Sequence, residues 1–430
     1  MQKPEKPQSG DPRSRPNKAV FIITFGCQMN EADSEDIAAA FRARGYEVTS
    51  ELKKADAVVV NTCTVRQKAE DKAISQIGRL RVWKERRPDG KLFVVGCAAQ
   101  KLGEKYLKGR FDFINEVVGA RAIEKFKDSL IRQLGPATEG EAEHRNLFRS
   151  PQTAYVTVMR GCSLKCSYCI VPAVRGPAVC LSPKAVLEDA AAKLAAGAKE
   201  LVLLGQTVNS YRHGRTTFSE LLKKVLRLPG LERLRFMSPH PLYYDEAFMK
   251  VLAEEPKLAR HMHLPAQSGS DRILKAMRRG YTRGQYLDLL ARLRRAAPGL
   301  AVSTDFIVGY PGETEEDFRD TLRLVEEGRF SLAYCFKYSP RSDRPGMKAD
   351  ISGAETEARL ERLLAAVKKN SRVVLEERIG KIEEVLFETD TYGRSSANFA
   401  VRVEAGGTPG KLSGVLVAGA EKNTLYGKLI

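Results

Sequence analysis

The sequence has few histidines, almost no tryptophan and no long apolar run. Its 430 residues include five His and one Trp. No apolar run reaches the roughly 18–20 residues that a helix needs to span a bilayer, so no membrane partner is expected. Residues 1–17 are rich in Pro, Lys, Arg and Ser and lack the apolar centre of a secretory signal. They are predicted to be a disordered basic tail, and the protein is expected to be cytoplasmic.

Acidic residues are outnumbered by basic ones. Lys and Arg total 71 against 53 Asp and Glu, which leaves a formal net charge of +18. Such an excess favours a polyanionic partner, and nucleic acid is the simplest one. Basic residues are dense between Asp271 and Arg295, where Arg278 and Arg279 are candidate RNA contacts. A merely basic, soluble protein is the alternative.

The eight cysteines are the most informative residues. Three of them, Cys162, Cys166 and Cys169, form a Cys-x3-Cys-x2-Cys run. Three thiolates at this spacing can hold three irons of a cubane and leave the fourth iron open to a small molecule. A structural zinc site needs four ligands, and no fourth Cys or His follows nearby. A zinc site completed from a distant part of the chain stays open as an alternative.

This run resembles the cluster motif of the radical S-adenosylmethionine (SAM) enzymes. Tyr168, the aromatic residue just before the last cysteine, fits that motif and is a candidate cofactor contact. The resemblance implies that the open iron chelates the methionine part of SAM. It further implies that an electron cleaves SAM to a 5′-deoxyadenosyl radical, which requires an external electron donor.

The first part of the chain alternates apolar runs with helical patterns, which predicts a small parallel α/β sheet. Strands are predicted at 19–24, 57–61, 92–95 and 113–118, and helices at 31–44, 64–87 and 99–108. The first three strands each end at a cysteine, namely Cys27, Cys63 and Cys97. Ligands of open α/β sheets lie beyond the carboxyl ends of the strands, so these thiols should converge. We infer a second cluster; ordinary buried cysteines are the alternative.

The sequence around these three cysteines resembles the N-terminal domain of the methylthiotransferases. The matching stretches are Gly26-Cys27-Gln28-Met29-Asn30, Asn61-Thr62-Cys63-Thr64-Val65-Arg66 and Gly96-Cys97-Ala98-Ala99-Gln100. The resemblance extends over nearly the whole chain from about residue 18. It implies two [4Fe-4S] clusters: an auxiliary one on Cys27, Cys63 and Cys97, and the SAM cluster on Cys162, Cys166 and Cys169.

The strand–helix alternation resumes on a larger scale in the middle of the chain and predicts a partial (β/α)6 barrel. The six predicted strands are 155–159, 200–204, 234–237, 261–264, 302–308 and 334–338. Barrels of this kind place their chemistry at the carboxyl ends of the strands. By that rule Gln206, Gln267 and Asp305 are predicted to line the pocket for SAM or substrate. The alternative is that such polar residues only form turns.

Several stretches look like one branch of the family, the MiaB-type tRNA methylthiotransferases. They are 204–211, 263–270, 277–282 and 304–314. The implied reaction converts N(6)-dimethylallyladenosine at tRNA position 37 to its 2-methylthio derivative, with SAM as methyl donor and as radical source. The same methylthiolation on threonylcarbamoyladenosine in tRNA or on a ribosomal protein stays open. A non-catalytic, metal-stabilised RNA-binding protein is the alternative from another class.

One stretch departs from the family pattern. After Arg175-Gly176 the family has an acidic residue followed by Ser-Arg, whereas this chain has Ala178, Cys180 and Leu181 in those places. The missing arginine puts one expected polar contact in doubt. Cys180 is predicted to be a free thiol and Cys335 a core residue.

The C-terminal residues change to short β runs with glycine-rich turns, which predicts a small β-barrel. Four strands are predicted at 382–389, 399–403, 411–418 and 425–429, after a helix at 354–378. Tyr392-Gly393-Arg394-Ser395-Ser396 resembles a stretch of the TRAM domain, an RNA-binding barrel. The resemblance implies that Arg394, Asn398 and Phe399 contact an RNA loop by charge and stacking. A purely structural cap is the alternative.

The expected fold class is therefore α/β with three parts after the tail. They are an N-terminal methylthiotransferase domain at 18–135, a radical SAM core at 148–370 and a TRAM-like barrel at 371–430. We expect a monomer whose partners are the tRNA anticodon stem-loop and an electron donor.

Overall fold

A computed structural model describes residues 18–65, 67–136, 150–340 and 350–430. The predicted tail at 1–17 lies outside these residues. The chain divides into two compact units, one of Met1–Gly26 with Asp33–Glu143 and one of Cys27–Ala32 with His144–Ile430. No helix in the described ranges combines the length and the apolar character that crossing a membrane requires.

The first unit contains the predicted parallel sheet, with strand order β2-β1-β3-β4-β5. The central strands, Ala57–Thr62 and Lys91–Gly96, are mostly apolar and are buried along nearly their whole length because both faces are covered. Val59 packs into one core, whereas Val58 and Val60 pack into another on the opposite face. The elements of this part of the chain are β1 (Lys18–Thr24), α1 (Gln28–Arg42), β2 (Tyr46–Val48), β3 (Ala57–Thr62), α2 (Gln67–Arg79), α3 (Arg81–Arg86), β4 (Lys91–Gly96), α4 (Cys97–Leu102), α5 (Glu104–Arg110), β5 (Glu116–Gly119) and α6 (Phe126–Leu134).

Two predicted helices of this unit are each divided in the structure. The predicted helix 64–87 is α2 followed by α3, which meet at Leu80. The predicted helix 99–108 is α4 followed by α5, with Gly103 between them at a φ of +80°. Such a φ is unfavourable for other residues and ends the first helix. Strand β2 is absent from the prediction because three residues are too few to show a period.

In the second unit, six parallel strands form the predicted partial barrel. One half has the order β12-β9-β6 and the other β13-β14-β15, and a parallel bridge from Leu234 to Leu258 joins them. Helices pack outside these strands around a large apolar core. The elements are β6 (Thr153–Thr157), β7 (Met159–Arg160), α7 (Val171–Arg175), β8 (Val179–Cys180), α8 (Pro183–Ala195), β9 (Glu200–Leu204), β10 (Arg212–His213), β11 (Thr216–Thr217), α9 (Phe218–Leu226), β12 (Arg233–Phe236), α10 (Glu246–Glu254), β13 (His261–His263), α11 (Asp271–Ala276), α12 (Arg283–Ala296), β14 (Ala301–Val308), α13 (Glu315–Gly328) and β15 (Leu332–Lys337).

The last part of the chain is a closed five-stranded barrel after a long helix, which confirms the predicted small β-barrel. One of its strands, Tyr392–Ser395, is absent from the prediction. Its Gly393 resembles a turn residue, but a Cβ there would collide with the carbonyl oxygen of Leu386, so the strands need glycine to pair. The elements are α14 (Gly353–Glu376), β16 (Ile382–Phe387), β17 (Tyr392–Ser395), β18 (Ala400–Arg402), β19 (Leu412–Glu421) and β20 (Thr424–Leu429).

Candidate functional site

The cysteine run lies in a tight loop after the first barrel strand. Gly161, which precedes the run, has a φ of +76°, and a Cβ there would collide with the carbonyl oxygen of Pro177. Only glycine permits this approach of two chain segments. The amide of Cys169 donates to the carbonyl of Cys166 at 3.2 Å, which turns the end of the run back on itself. The loop thus holds its thiols in one compact group.

The three thiols of this loop are close together and largely shielded from solvent. Cys162 and Cys166 are 7% and 5% exposed, and Cys169 is partly exposed. Burial raises the pKa of the Cys169 thiol to about 11, with smaller contributions from the charges of Cys166 and Cys162. None of the three thiols takes part in a disulfide.

A buried guanidinium group faces these thiols. Arg279 is 5% exposed, and its Nη1 donates to Cys166 Sγ at 3.4 Å and to the Tyr168 hydroxyl at 3.2 Å. Its Nη2 donates to the carbonyl of Pro265 at 3.0 Å. A cation beside a thiol favours the thiolate, the form that binds metal. This burial argues against the expected RNA contact of Arg279, whereas its neighbour Arg278 is exposed.

Tyr168 joins the cysteine loop to helix α11. Its ring packs against Ile273, Met277 and Tyr310. Burial raises the pKa of its hydroxyl well above the ordinary value, although Arg279 acts in the opposite direction. The hydroxyl therefore stays protonated while it accepts a hydrogen bond from Arg279. These contacts anchor the loop, and the predicted contact between Tyr168 and a cofactor stays a prediction.

Three close thiols beside one cation fit a [4Fe-4S] cluster with an open iron. A cubane takes one thiolate per iron, so its ligands do not have to converge on a single point. Within the described ranges, no three His, Cys, Asp or Glu side chains converge as they would around one metal ion. The donor set is therefore compatible with a cluster.

The other three candidate ligands follow neighbouring strands of the N-terminal sheet. Cys63 directly follows β3, Cys97 directly follows β4, and Cys27 comes three residues after β1. Cys63 and Cys97 are 2% and 1% exposed. At Gly96, with a φ of +100°, a Cβ would collide with the carbonyl oxygen of Thr62, so the ends of β3 and β4 approach closely. This approach supports a shared role for Cys63 and Cys97; convergence with Cys27 stays a prediction.

Gln206 lies beside a residue that contacts the cysteine run. The hydroxyl of its neighbour Thr207 is 3.2 Å from Cys162 Sγ. Oε1 of Gln206 is buried and has no hydrogen-bond partner among the described residues. Leaving a buried acceptor unpaired costs roughly 1–3 kcal/mol, which a donor on a bound ligand would recover. This unpaired oxygen supports the predicted ligand contact of Gln206.

Gln267 and Asp305 lie side by side near the carboxyl ends of β13 and β14. The amide of Gln267 donates to the Asp305 carbonyl at 2.8 Å, and the Ile307 amide donates to the Gln267 carbonyl at 2.9 Å. Gln267 has a φ of +78°, an unfavourable value for a residue with a side chain. Strain of this kind clusters at functional sites. The Asp305 carboxylate lies 3.4 Å from His263 Nε2.

His240, at the end of the third barrel strand, is a buried residue outside the predicted pocket set. Burial lowers its pKa to about 3, and the nearby Arg279 acts in the same direction. The ring is therefore neutral, and its Nδ1 accepts a hydrogen bond from the Leu242 amide at 3.3 Å. Its position after a barrel strand is the sequence signal that marks it.

A cavity of about 710 Å³ opens in the second unit. Tyr155 of the first barrel strand and Tyr334 of the last one line it. Neither β6 nor β15 pairs with a further strand in the described sheets, so the barrel has an open seam between them. His263 lines the cavity inside the barrel, and Arg394 and Asn398 line it from the terminal barrel.

Of the three predicted RNA contacts in the terminal barrel, Phe399 differs from Arg394 and Asn398. Phe399 is 7% exposed and packs in the core of this barrel. The Arg378 guanidinium lies over its ring, 5.1 Å from the centroid. This burial argues against the expected stacking of an RNA base on Phe399.

Two buried arginines of β12 hold the end of strand β17, which carries Arg394. Arg233 donates to the carbonyl of Arg394 at 3.0 Å, and Arg235 donates to the carbonyl of Ser396 at 3.0 Å. Both arginines also pair with buried Glu200. Burial acts to raise the pKa of Glu200, but Arg235 and Arg233 outweigh it and lower the value to about 2.

Of the residues that depart from the family pattern, Cys180 lies in the short strand β8, and Ala178 and Leu181 flank that strand. Cys180 pairs with Met159 in this strand and packs partly buried against the main core. The carbonyl of Leu181 accepts a hydrogen bond from the Tyr211 hydroxyl at 2.7 Å. The Ala178 amide donates to the Ser163 hydroxyl at 3.1 Å. These positions therefore support the loop by packing and backbone bonds. Cys335 is partly buried against the same core.

Solved structures share the fold of this chain. TsrM, a radical S-adenosylmethionine methyltransferase from Kitasatospora setae solved with cobalamin and a [4Fe-4S] cluster, matches with a TM-score of 0.55. The match covers 75% of each chain at 16% sequence identity. OxsB, a cobalamin-dependent S-adenosylmethionine radical enzyme, matches with a TM-score of 0.50 over 82% of this chain and 56% of its own, at 13% identity. At such identities the likeness shows the fold alone.

Two family models and several curated relatives match the sequence. Residues 19–119 match the uncharacterized protein family UPF0004, and residues 156–325 match the radical SAM superfamily. The relative from Endomicrobium trichonymphae is 39% identical, over 95% of this chain and 99% of its own. Those from Campylobacter hominis and Cereibacter sphaeroides are 37% and 39% identical, each over 96% of this chain and 99% of its own. All three bear one name, and the chain belongs to their family, the tRNA-2-methylthio-N(6)-dimethylallyladenosine synthases.

Proposed function

We propose that this chain is a radical SAM methylthiotransferase that converts N(6)-dimethylallyladenosine at tRNA position 37 to its 2-methylthio derivative. One observation carries the proposal. Three cysteines of one loop, beside the buried Arg279, stand in a chain that is 39% identical, over 95% of its length, to a synthase of that name. The enzyme is accordingly a transferase, with tRNA as its substrate.

Six cysteines would hold the two cofactors that this reaction needs. Cys162, Cys166 and Cys169 would bind the [4Fe-4S] cluster that works with SAM. Cys27, Cys63 and Cys97 would bind an auxiliary [4Fe-4S] cluster. When bound, these groups and SAM supply the radical chemistry, the methyl group and the sulfur that an inert aromatic carbon requires.

The protein's own residues position these groups and shield them from water. Arg279 fixes the Cys166 side chain through the hydrogen bond at 3.4 Å. Gln206, Gln267 and Asp305 contact SAM or the substrate base, as the unpaired oxygen of Gln206 and the strained backbone of Gln267 support. Tyr168 holds the loop against α11.

Contacts to RNA come from residues that solvent reaches, of which Arg278 is exposed and Arg394 and Asn398 are partly exposed. Arg278 contacts phosphate, and Arg394 and Asn398 contact the loop of the anticodon stem-loop. Arg279 and Phe399 leave this set because they are buried. The net charge of +18 supplies the longer-range attraction. The protein acts as a cytoplasmic monomer and receives electrons from an external donor. Its three domains are residues 18–135, 148–370 and 371–430.

Anaerobic turnover tests this substrate. The cluster-loaded enzyme is incubated with SAM, a reductant and tRNA that bears or lacks the dimethylallyl group, and the nucleosides are analysed by mass spectrometry. We expect the 2-methylthio product only from the dimethylallyl tRNA. Methylthiolation of unmodified adenosine, of threonylcarbamoyladenosine or of a ribosomal protein instead would contradict the assignment.

Metal analysis separates the enzyme from a non-catalytic RNA-binding protein. We expect about eight irons and matching sulfide per chain, because each of two cubanes holds four irons. Cys335→Ala, which lies outside both cysteine sets, serves as the control and should keep the iron content. A protein that contains zinc and no iron would contradict the proposed chemistry.

A further inference from the structure

A row of polar side chains crosses the inside of the barrel from β13 to β14. His261 and His263 alternate along β13, and Ser303 and Asp305 alternate along β14. Side chains two residues apart on a strand face the same side of the sheet. The strand register places His263 opposite Ser303. The four side chains therefore share one face, and His261, His263 and Ser303 line the cavity.

These four side chains form one continuous chain of contacts. His261 Nε2 lies 3.1 Å from Ser303 Oγ, which in turn lies 3.0 Å from His263 Nδ1. The other ring nitrogen of His263, Nε2, lies 3.4 Å from Asp305 Oδ2. Both nitrogens of His263 are thus engaged, one by a hydroxyl and one by a carboxylate.

The chemistry of the donors fixes the role of His263. A carboxylate oxygen only accepts, so a proton on His263 Nε2 makes its 3.4 Å contact with Asp305 Oδ2 attractive. With that proton in place and a neutral ring, Ser303 donates to Nδ1 and accepts from His261 Nε2. With a protonated ring, Nδ1 donates to Ser303, which then donates to His261. The contact between Nε2–H and Asp305 is the same in both arrangements.

Asp305 is the more accessible partner of the His263–Asp305 contact. His263 and Ser303 are 8% and 3% exposed, whereas the Asp305 side chain is 23% exposed. The Tyr334 ring packs edge-on against the His263 ring at 5.9 Å, which limits the orientation of the imidazole. The neighbouring His263 side chain orients this carboxylate, which lies beside the strained backbone of Gln267. A carboxylate held in this way is suited to bind a ligand.

We propose that His263 is a positioning residue that holds the Asp305 carboxylate toward a hydrogen-bond donor of the bound ligand. The donor is an N–H, O–H or ammonium group. SAM offers such donors on its ribose and its amino group, and the substrate base offers one on its exocyclic nitrogen. This inference rests on the proposed function, which supplies these two ligands.

A double-mutant cycle tests the inference on the cluster-loaded protein. Dissociation constants for SAM, by equilibrium dialysis, and for dimethylallyl tRNA, by filter binding, are measured for Asp305→Asn, His263→Phe and the double variant. His263→Phe should weaken the ligand that Asp305 contacts about tenfold, the usual scale for a hydrogen bond to a charged group. The double variant should bind no more weakly than Asp305→Asn, because His263 acts through Asp305. The ligand whose binding changes identifies the donor.

Three further variants separate positioning from simple damage. His263→Gln keeps a donor near the Nε2 position and should bind nearly as well as wild type. Ser303→Ala removes the orienting hydroxyl and should weaken the same ligand by a smaller factor. If His263→Phe fails to fold, Ser303→Ala replaces it in the double-mutant cycle. His213→Phe, at an exposed histidine, is the matched control and should leave both dissociation constants unchanged.

Three results would overturn the inference: additive losses in the double variant, His263→Gln binding as weakly as His263→Phe, or Asp305→Asn binding both ligands normally. Turnover by the wild-type enzyme decides the proposed function separately. If no tRNA is methylthiolated, that function fails, while the SAM dissociation constants still decide the role of His263.

Discussion

At the scale of single residues, Arg279 contacts more groups of the candidate site than any of the residues predicted to bind the cofactor. Its guanidinium contacts a candidate ligand sulfur, a tyrosine hydroxyl and a backbone carbonyl. The contact with the sulfur is buried and the other two are partly buried, and all three depend on the same cation. Its charge is therefore used inside the protein and not on an RNA surface.

Arg279→Gln tests this structural role. The variant loses the buried cation and its hydrogen bonds to the Tyr168 hydroxyl and the Pro265 carbonyl, so the free energy of unfolding should fall by about 3 kcal/mol. Urea denaturation measures this loss, and iron analysis should show less cluster. The matched control Arg278→Gln changes an exposed neighbour and should stay within about 0.5 kcal/mol of wild type. Equal effects of the two variants would contradict the assignment.

Glu200 gives a prediction about pH. Its pKa is about 2 in the folded protein against an ordinary value of 4.5. Its contribution to stability is therefore present above pH 4.5 and is lost as the pH falls from about 4.5 toward 2. Glu200→Gln should lower the free energy of unfolding by about 3 kcal/mol at neutral pH.

Urea midpoints measured between pH 2 and 7 check this prediction. Other carboxylates, such as Asp317, stay in both proteins, so the difference between wild type and variant isolates Glu200. That difference should shrink as the pH falls below 4.5. A constant difference across the whole range would show that Glu200 does not carry the pH dependence.

At the scale of elements, helix starts hold the functional loops in place. Helix α12 begins four residues after Arg279, and Thr282 and Gln285 form a reciprocal cap at its start. This cap satisfies backbone amides that a helix leaves unpaired. The loop with Arg279 is thereby tied to a rigid element.

Thr282→Ala should lower the free energy of unfolding by about 1 kcal/mol because it removes the side-chain acceptor of the cap. Thr282→Ser keeps a hydroxyl and should lie much closer to wild type. Urea denaturation of the two variants checks the prediction. A serine variant as unstable as the alanine variant would show that packing of the threonine methyl group matters more than the cap.

The elements also show how far sequence patterns reach. Each strand of the partial (β/α)6 barrel was predicted to within about two residues, because runs of apolar residues bounded by turn residues are recognisable in the sequence. The division of helices at Leu80 and Gly103 was not predicted, because helical periodicity continues across such breaks. Strand β17 was missed because its Gly393 is required by a neighbouring strand, and that demand is invisible in the local sequence.

At the scale of the whole molecule, two sets of cysteines divide the proposed chemistry. One set lies in a single loop of ten residues at 160–169, and the other follows three strands of a sheet. The cluster bound by one set of cysteines should therefore be lost or kept independently of the cluster bound by the other set. Single cysteine variants turn this division into a measurement.

Cys63→Ala should halve the iron content, since about four irons belong to each cubane. It should keep SAM cleavage but stop formation of the methylthio product. Cys166→Ala should also lose about half of the iron, but it should abolish SAM cleavage itself. Iron analysis and detection of 5′-deoxyadenosine separate these outcomes. Unchanged methylthio product in Cys63→Ala would show that this residue is no ligand.

The sequence by itself determined the fold class, the order of the parts and the candidate ligands. These features depend on spacing along the chain, such as the periods of strands and helices and the Cys-x3-Cys-x2-Cys run. The tertiary structure decided what surrounds them. Arg279 and Cys166 are 113 residues apart in the chain, and the row from His261 to Asp305 depends on the register of two strands. Burial and long-range contacts are set by packing, so local patterns placed Arg279 and Phe399 on the surface and packing placed them inside.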